Sequence, residues 1–284
     1  MVQFQDFCDR NETRITAFAR RFGSYVFPIE ETQIRNWLRQ FGENNVANLE
    51  LGLKLLDRVD YFSPARLVNE ARELHRLLLA YKQTNVERLL NKPTYFVDFS
   101  LSSGHSQDEL VPKYRLASGL RHARYDPHFI YLRDIGTFLS KRGIKRGITF
   151  VFLTDFIGSG KQVSDTWKDI LWAISPENEH ILLSICACNS GIEKIQQETG
   201  DQVCVMTCRT YSDGDRIFAN ENREFTPSER KLLRELCETA DDHPTGYLDV
   251  QSRTVFCFRC PNDSISILRA NNENWVGLFK RYGD

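Results

Sequence analysis

The 284-residue chain has no apolar run approaching the roughly 18 residues that a helix needs to cross a bilayer. An excess of either charge is also missing: 37 Lys and Arg stand against 38 Asp and Glu, a formal net charge of −1. No global field therefore recruits nucleic acid or an anionic membrane surface. The opening segment MVQFQDFCDRNE has no charged-then-apolar leader pattern, so a cytoplasmic protein is expected. Internal repeats and low-complexity tracts are absent too.

A second metal-ligand pair is likewise missing. Of the eight cysteines, Cys186 and Cys188 lie in HILLSICAC, Cys204 and Cys208 in QVCVMTC, and Cys257 and Cys260 in TVFCFRC, all strand-like segments. Cys257 and Cys260 have the CxxC spacing of zinc sites, but no second CxxC or CxxH follows. Small buried thiols in a reducing compartment are expected, with neither disulfides nor structural zinc.

What is present is a core. Hydrophobic residues make up 41% of the chain, enough for one large domain or two small ones. Residues 31–90 carry apolar positions at helical spacing: Ile34, Trp37, Leu38 and Phe41, then Val46, Leu49, Leu53, Leu56 and Val59. A third run follows Pro64 through Leu67, Val68, Ala71, Leu74 and Leu78, with DYFS at 60–63 read as a turn and Ser cap. His75 is expected on that helix's surface.

At Pro93 the character changes. Strand-like runs at 95–99, 148–154, 181–188, 203–208 and 254–258 alternate with helical segments at about 129–141, 161–174, 191–198 and 227–238. The expectation is a helical N-terminal region, 1–92, followed over 93–284 by an α/β domain with a mostly parallel sheet between helices. Ligands of such sheets bind beyond the carboxyl ends of the strands.

One of those ends carries TDFIGSGKQ, residues 154–162. The GSGK within it is not a Walker loop. That motif needs Gly five positions before its last Gly and Ser or Thr after its Lys, whereas Asp155 and Gln162 stand there. The order is nonetheless strand, acid, glycine turn, helix, and backbone N–H groups at a turn and helix start receive anions. An acid just before such a turn suits sugar hydroxyls, so the stretch suits a ribose 5-phosphate. A helix-opening turn with no ligand is the plainer alternative. A second polar turn, SLSSGHS, follows the run at 95–99 and offers Ser102, Ser103, Gly104 and His105 as further donors for phosphate oxygens.

Between 113 and 146 the chain turns basic. Lys113, Arg115, Arg121, Arg124, Arg133, Lys141, Arg142, Lys145 and Arg146 face only Asp126 and Asp134, an excess of about seven charges. This is either a solvated face or a tract that draws in a polyanion, a diphosphate-bearing metabolite before a nucleic-acid strand.

An apolar strand, acids and a short Thr/Ser/Gly loop resemble the signature of type I phosphoribosyltransferases. More narrowly, the chain resembles the divergent phosphoribosyltransferase-like domain, PRTase-CE, of bacterial conflict systems. The resemblance rests on DFIGSG at Asp155–Gly160, on WL-x-QF at Trp37, Leu38, Gln40 and Phe41, and on CPNDSISIL…NWVGLFKR over 260–281. It implies phosphoribosyl pyrophosphate (PRPP) or a related nucleotide as ligand, and magnesium carried by that ligand. Thr154 and Asp155 would then meet the ribose hydroxyls, with Asp155 also placing the magnesium. Gly158, Ser159 and Gly160 would wrap the 5-phosphate, with Lys161 and Gln162 at the helix start. Ser102, Ser103, Gly104 and His105 would lie at the pyrophosphate. The family pattern has two adjacent acids, and Thr154 replaces the first. Two functions follow: a phosphoribosyltransferase-like effector enzyme of an antiphage system, with partner proteins encoded nearby, or a non-catalytic module that senses PRPP or a nucleotide.

Overall fold

A computed structural model of the protein describes residues 2–99, 110–142, 146–170, 175, 177–200 and 202–281. The chain begins with α1 (Val2–Arg10), α2 (Glu12–Phe22), α3 (Glu31–Arg39), α4 (Val46–Arg58) and β1 (Asp60–Phe62). Next come α5 (Pro64–Tyr81), α6 (Val86–Leu90), β2 (Thr94–Asp98), α7 (Leu110–Ala117) and β3 (Phe129–Tyr131). They are followed by α8 (Ile135–Arg142), β4 (Thr149–Ile157), α9 (Lys161–Ile170), β5 (Glu179–Cys188), α10 (Asn189–Thr199) and β6 (Val203–Tyr211). The last are α11 (Pro227–Ala240), β7 (Thr254–Phe256) and α12 (Ser266–Arg269). Packing groups these elements into two compact units, Ala65–Ser212 and the two flanking segments Met1–Pro64 with Asp213–Asp284.

The flanking unit joins the two ends of the chain. β1 pairs in parallel with β7, from Asp60 with Thr254 to Phe62 with Phe256. The segment DYF is therefore a strand and not a turn, and 254–256 belongs to this small sheet and not to the main one. Three residues are too few to show a period, so pairing alone distinguishes them. The helices start where local chemistry stops the backbone from wasting N–H groups. Asn45 Oδ1 accepts Asn48 N–H at α4, and Thr226 with Glu229 forms a reciprocal capping box at α11 ahead of Pro227. Trp37 and Trp275 are both buried, and both indole N–H groups donate to Ile267 O, at 2.8 and 3.0 Å.

The central unit is an all-parallel five-stranded sheet in the order β3-β2-β4-β5-β6, flanked by helices. Every residue of β2 and β4 is buried, as strands covered on both faces require, which explains their unbroken apolar character. One face is packed by Tyr95, Val97, Phe150, Phe152 and Leu182 with Ile135 of α8, Val163 and Trp167 of α9 and Ile195 of α10. On the other, Phe96 meets Tyr114 of α7, with ring centres 5.5 Å apart, and Tyr114 meets His75 of α5. The segment expected to be helical over 129–141 opens instead with β3, and α8 begins only at Ile135.

That strand order contains a switch point. From β2 the chain moves to β3 on one side, then returns through α8 to β4 on the other. Connections leave β2 and β4 in opposite directions, which opens a crevice at their carboxyl ends.

Candidate functional site

β2 and β4 run in register from Thr94 with Thr149 to Asp98 with Leu153, and Phe99 N–H donates to Leu153 O at 3.1 Å. β2 therefore ends beside β4 at the switch point. The second candidate loop, Ser102, Ser103, Gly104 and His105, lies outside the described residues.

β4 does not end at Thr154 but continues to Ile157, so Asp155 is a strand residue. It is also where the ladder breaks. Thr154 pairs with Ser184 and Phe156 with Cys186, while Asp155 and Ile185 form no rung; β6 likewise pairs Thr207 and Arg209 but not Cys208. Side chains take over the local bonding. Ser184 Oγ donates to Cys186 O at 2.7 Å and stands 3.5 Å from Asp155 O, and Thr207 Oγ1 donates to Arg209 O at 3.0 Å. The alternation of faces shifts across the break: Phe150 and Phe152 lie in the same apolar cluster as Ile157, and Leu182 in the same cluster as Ala187. Asp155 is 2% exposed, and its Oδ1 accepts Phe156 N–H at 2.9 Å. Thr154 is buried beside it.

The turn that follows is built for close approach. Gly160 holds φ at +74°, and a Cβ there would stand 2.4 Å from Gly191 O. Gly191, in the first turn of α10, could carry no Cβ either, since one would lie 2.2 Å from Gly158 O. Backbone meets backbone between the two segments, with no room for a methyl. Gly158 itself is outside the positive-φ region. Ser159 Oγ accepts Lys161 N–H at 3.4 Å, and Lys161 Nζ pairs with Asp165 at 2.5 Å along the exposed flank of α9, where Gln162 is also exposed. Asp155, Gly158, Ser159 and Gly160 thus form one rigid strand-to-helix turn.

Sequence reasoning missed Gly191, whose partner lies some thirty residues earlier in the chain. It also missed Ser184, which reads as one more buried strand residue, and it misplaced His75. That histidine is 7% exposed, because positions 71, 75 and 78 continue the buried stripe of α5. Its Nδ1 is 2.9 Å from the hydroxyl of fully buried Tyr114, and burial pushes its pKa down to about 4. The pair fixes α7, the first described element after the second candidate loop. His180 is a second neutral histidine, boxed by Phe150, Phe152 and Trp167 and also pushed down to about 4 by burial.

The basic tract divides. Arg146 pairs with Glu177 at 2.7 Å, Arg124 stacks on Tyr125 and Arg133 on Tyr131. Lys113, Arg115 and Arg121 line a cavity of about 900 Å³ with Asp98, and no residue of 154–162 is among its described lining. Lys145 and the side chain of Arg142 lie outside the described residues. Among the described residues, no group of three or more His, Cys, Asp or Glu side chains is gathered for a metal. One carboxylate beside one hydroxyl suits a magnesium that arrives with its ligand's phosphates, since that ion keeps phosphate and water oxygens around it. No described helix is long and apolar enough to cross a membrane.

A family model, PRTase-CE, matches residues 34–281. Comparison with curated proteins gives no match.

Proposed function

The chain belongs to the PRTase-CE family, and on that premise we propose that the β2–β4 switch point binds the ribose 5-phosphate of PRPP or a related nucleotide. The protein then acts as a phosphoribosyltransferase-like enzyme, an effector in a bacterial antiphage or conflict system. The observation that supports this reading most is the place and rigidity of the 154–160 segment. It ends β4, a strand of the switch point, and its turn meets Gly191 backbone to backbone.

In this reading the N–H groups of Gly158, Ser159 and Gly160, with the start of α9 at Lys161 and Gln162, receive the 5-phosphate. Thr154 and Asp155 meet the ribose hydroxyls, and Ser102, Ser103, Gly104 and His105 face the diphosphate. At the anomeric carbon the bond to diphosphate oxygen breaks as the acceptor's bond forms, and diphosphate leaves with the electron pair. Magnesium would be held by the ligand's phosphates with Asp155 as its protein carboxylate, and when bound it neutralises charge on the departing diphosphate. Structural zinc is no part of the reading. Purified protein is expected to carry substoichiometric zinc, because the CxxC at Cys257 and Cys260 is followed by no second ligand pair in the sequence.

The non-catalytic reading has its own support. Thr154 replaces an acid, and Asp155 is 2% exposed with one oxygen already accepting a backbone N–H. Calorimetry with PRPP and magnesium tests binding, and pyrophosphate release tests turnover. Binding with release supports the enzyme, binding without release supports the sensor, and no binding at all removes both.

A further inference from the structure

Asp98 at the carboxyl end of β2, Phe129 and Tyr131 on β3, and Lys113, Arg115 and Arg121 surround the cavity of about 900 Å³. Sites for small organic ligands enclose about 300–1,000 Å³, so this one has room for a ligand of substantial size. Its walls are of three chemical kinds, and their combination narrows what fits.

The first kind is flat. Arg115 is fixed three ways: Nε donates to Leu120 O at 3.1 Å, a terminal nitrogen pairs with Asp126, and Cζ stands 4.7 Å from the Phe129 ring centre. Phe129 in turn stacks on Phe96, with ring centres 5.0 Å apart and planes 17° from parallel. A guanidinium held against a ring can present its other face to a second planar group. Tyr131 adds a ring that is 49% exposed and is braced by Arg133, whose Cζ is 5.0 Å from the ring centre. The second kind is cationic, from Lys113 and Arg121. The third is Asp98, only 6% exposed at the end of a central strand. A carboxyl group there suits a ligand that carries sugar hydroxyls or an exocyclic amine.

We propose that this cavity is a second ligand site and that it takes a nucleoside phosphate. The base lies against Arg115 and Tyr131, the phosphate meets Lys113 and Arg121, and the ribose hydroxyls reach Asp98. The inference goes beyond the ribose-phosphate reading of the 154–162 turn, no residue of which is in the cavity's described lining.

The test is calorimetric titration of the full chain with the four nucleoside monophosphates, adenosine, ribose 5-phosphate, pyrophosphate and decathymidylate. At least one mononucleotide should bind about tenfold or more tightly than adenosine, in a component that saturating ribose 5-phosphate does not displace. Tyr131→Ala should weaken it by about 5- to 150-fold, the range for losing one stacking partner. Arg121→Ser should weaken nucleotide binding but not adenosine binding. Both side chains are exposed, so neither change threatens the fold. Asp155→Asn should leave this affinity unchanged, which separates it from PRPP binding at the turn. Absence of mononucleotide binding at about 1 mM would overturn the proposal. So would indifference to both substitutions, full displacement by ribose 5-phosphate, or loss in Asp155→Asn. Decathymidylate binding far more tightly than any mononucleotide, with a steep salt dependence, would make the surface a strand track and also overturn it.

Discussion

Gly160 and Gly191 meet through backbone alone, so the turn after β4 packs on the start of α10 with no side chain between them. Gly191→Ala pushes a methyl into Gly158 O, and neither contact surface has a flexible side chain that could yield. The expected cost is about 1–3 kcal/mol of stability, as for other overpacked sites. Displacing the Gly158 carbonyl also re-aims the neighbouring N–H groups, so PRPP affinity should fall by more than the stability loss alone explains. Calorimetry beside urea unfolding checks this. Unchanged affinity in a destabilised Gly191→Ala protein would detach the turn from ligand binding.

Asp155→Asn isolates charge from shape. Its amide oxygen can still accept Phe156 N–H, so that contact should survive. Losing a charged hydrogen bond costs roughly 1.5–3 kcal/mol, or about 10- to 150-fold in affinity or rate. Undiminished PRPP binding and turnover would place the ribose contacts elsewhere.

Trp37 and Trp275 share a single acceptor, the Ile267 carbonyl oxygen. Either Trp→Phe change removes one of its indole donors, and the double change removes both. Beyond the packing loss at each site, the second substitution should cost about 1–3 kcal/mol more in the double variant than alone. A urea-unfolding double-mutant cycle measures the coupling, and strict additivity would refute it.

Stability should weaken in mild acid. His75 and His180 have folded pKa values of about 4, below the ordinary 6.5, so the unfolded chain takes up their protons first. Their contribution is complete above about pH 6.5 and is lost as pH falls towards 4. Each tenfold loss of proton affinity on folding is worth about 1.4 kcal/mol, which bounds each histidine at about 3 kcal/mol. His180→Phe keeps an aromatic ring against Phe150 and Trp167 and removes the proton site. Its melting temperature should fall less than the parent's between pH 7 and pH 4.5.

The legible parts of the fold were those with a period or an unbroken apolar run. Ile34, Trp37, Leu38 and Phe41 announce α3, and ITFVFLT announces β4. β1 and β3, at three residues each, carry no period, and only their partners make them strands. The 154–160 turn could be read because its glycines adjoin the strand that positions them. Gly191 and Ser184 could not, because their reasons lie in another segment. The most distinctive shared motifs, WL-x-QF and the CPNDSISIL…NWVGLFKR tail, meet in the core of the flanking unit.

The parallel pairing of β1 with β7 has a consequence for synthesis. On a ribosome, residues 1–64 emerge well before the residues that complete their unit, with roughly 150 residues between the two segments. At about 5–20 residues per second that delay is on the order of ten seconds or more. Phe22, Trp37 and Phe62, buried in the finished protein, must wait unpartnered meanwhile, while the central sheet can close first. Chains truncated at residue 212 and released from the ribosome should therefore resist protease within β2, β4, β5 and β6 and remain cleavable within the first 64 residues, which makes the N-terminal segment the natural client of a chaperone.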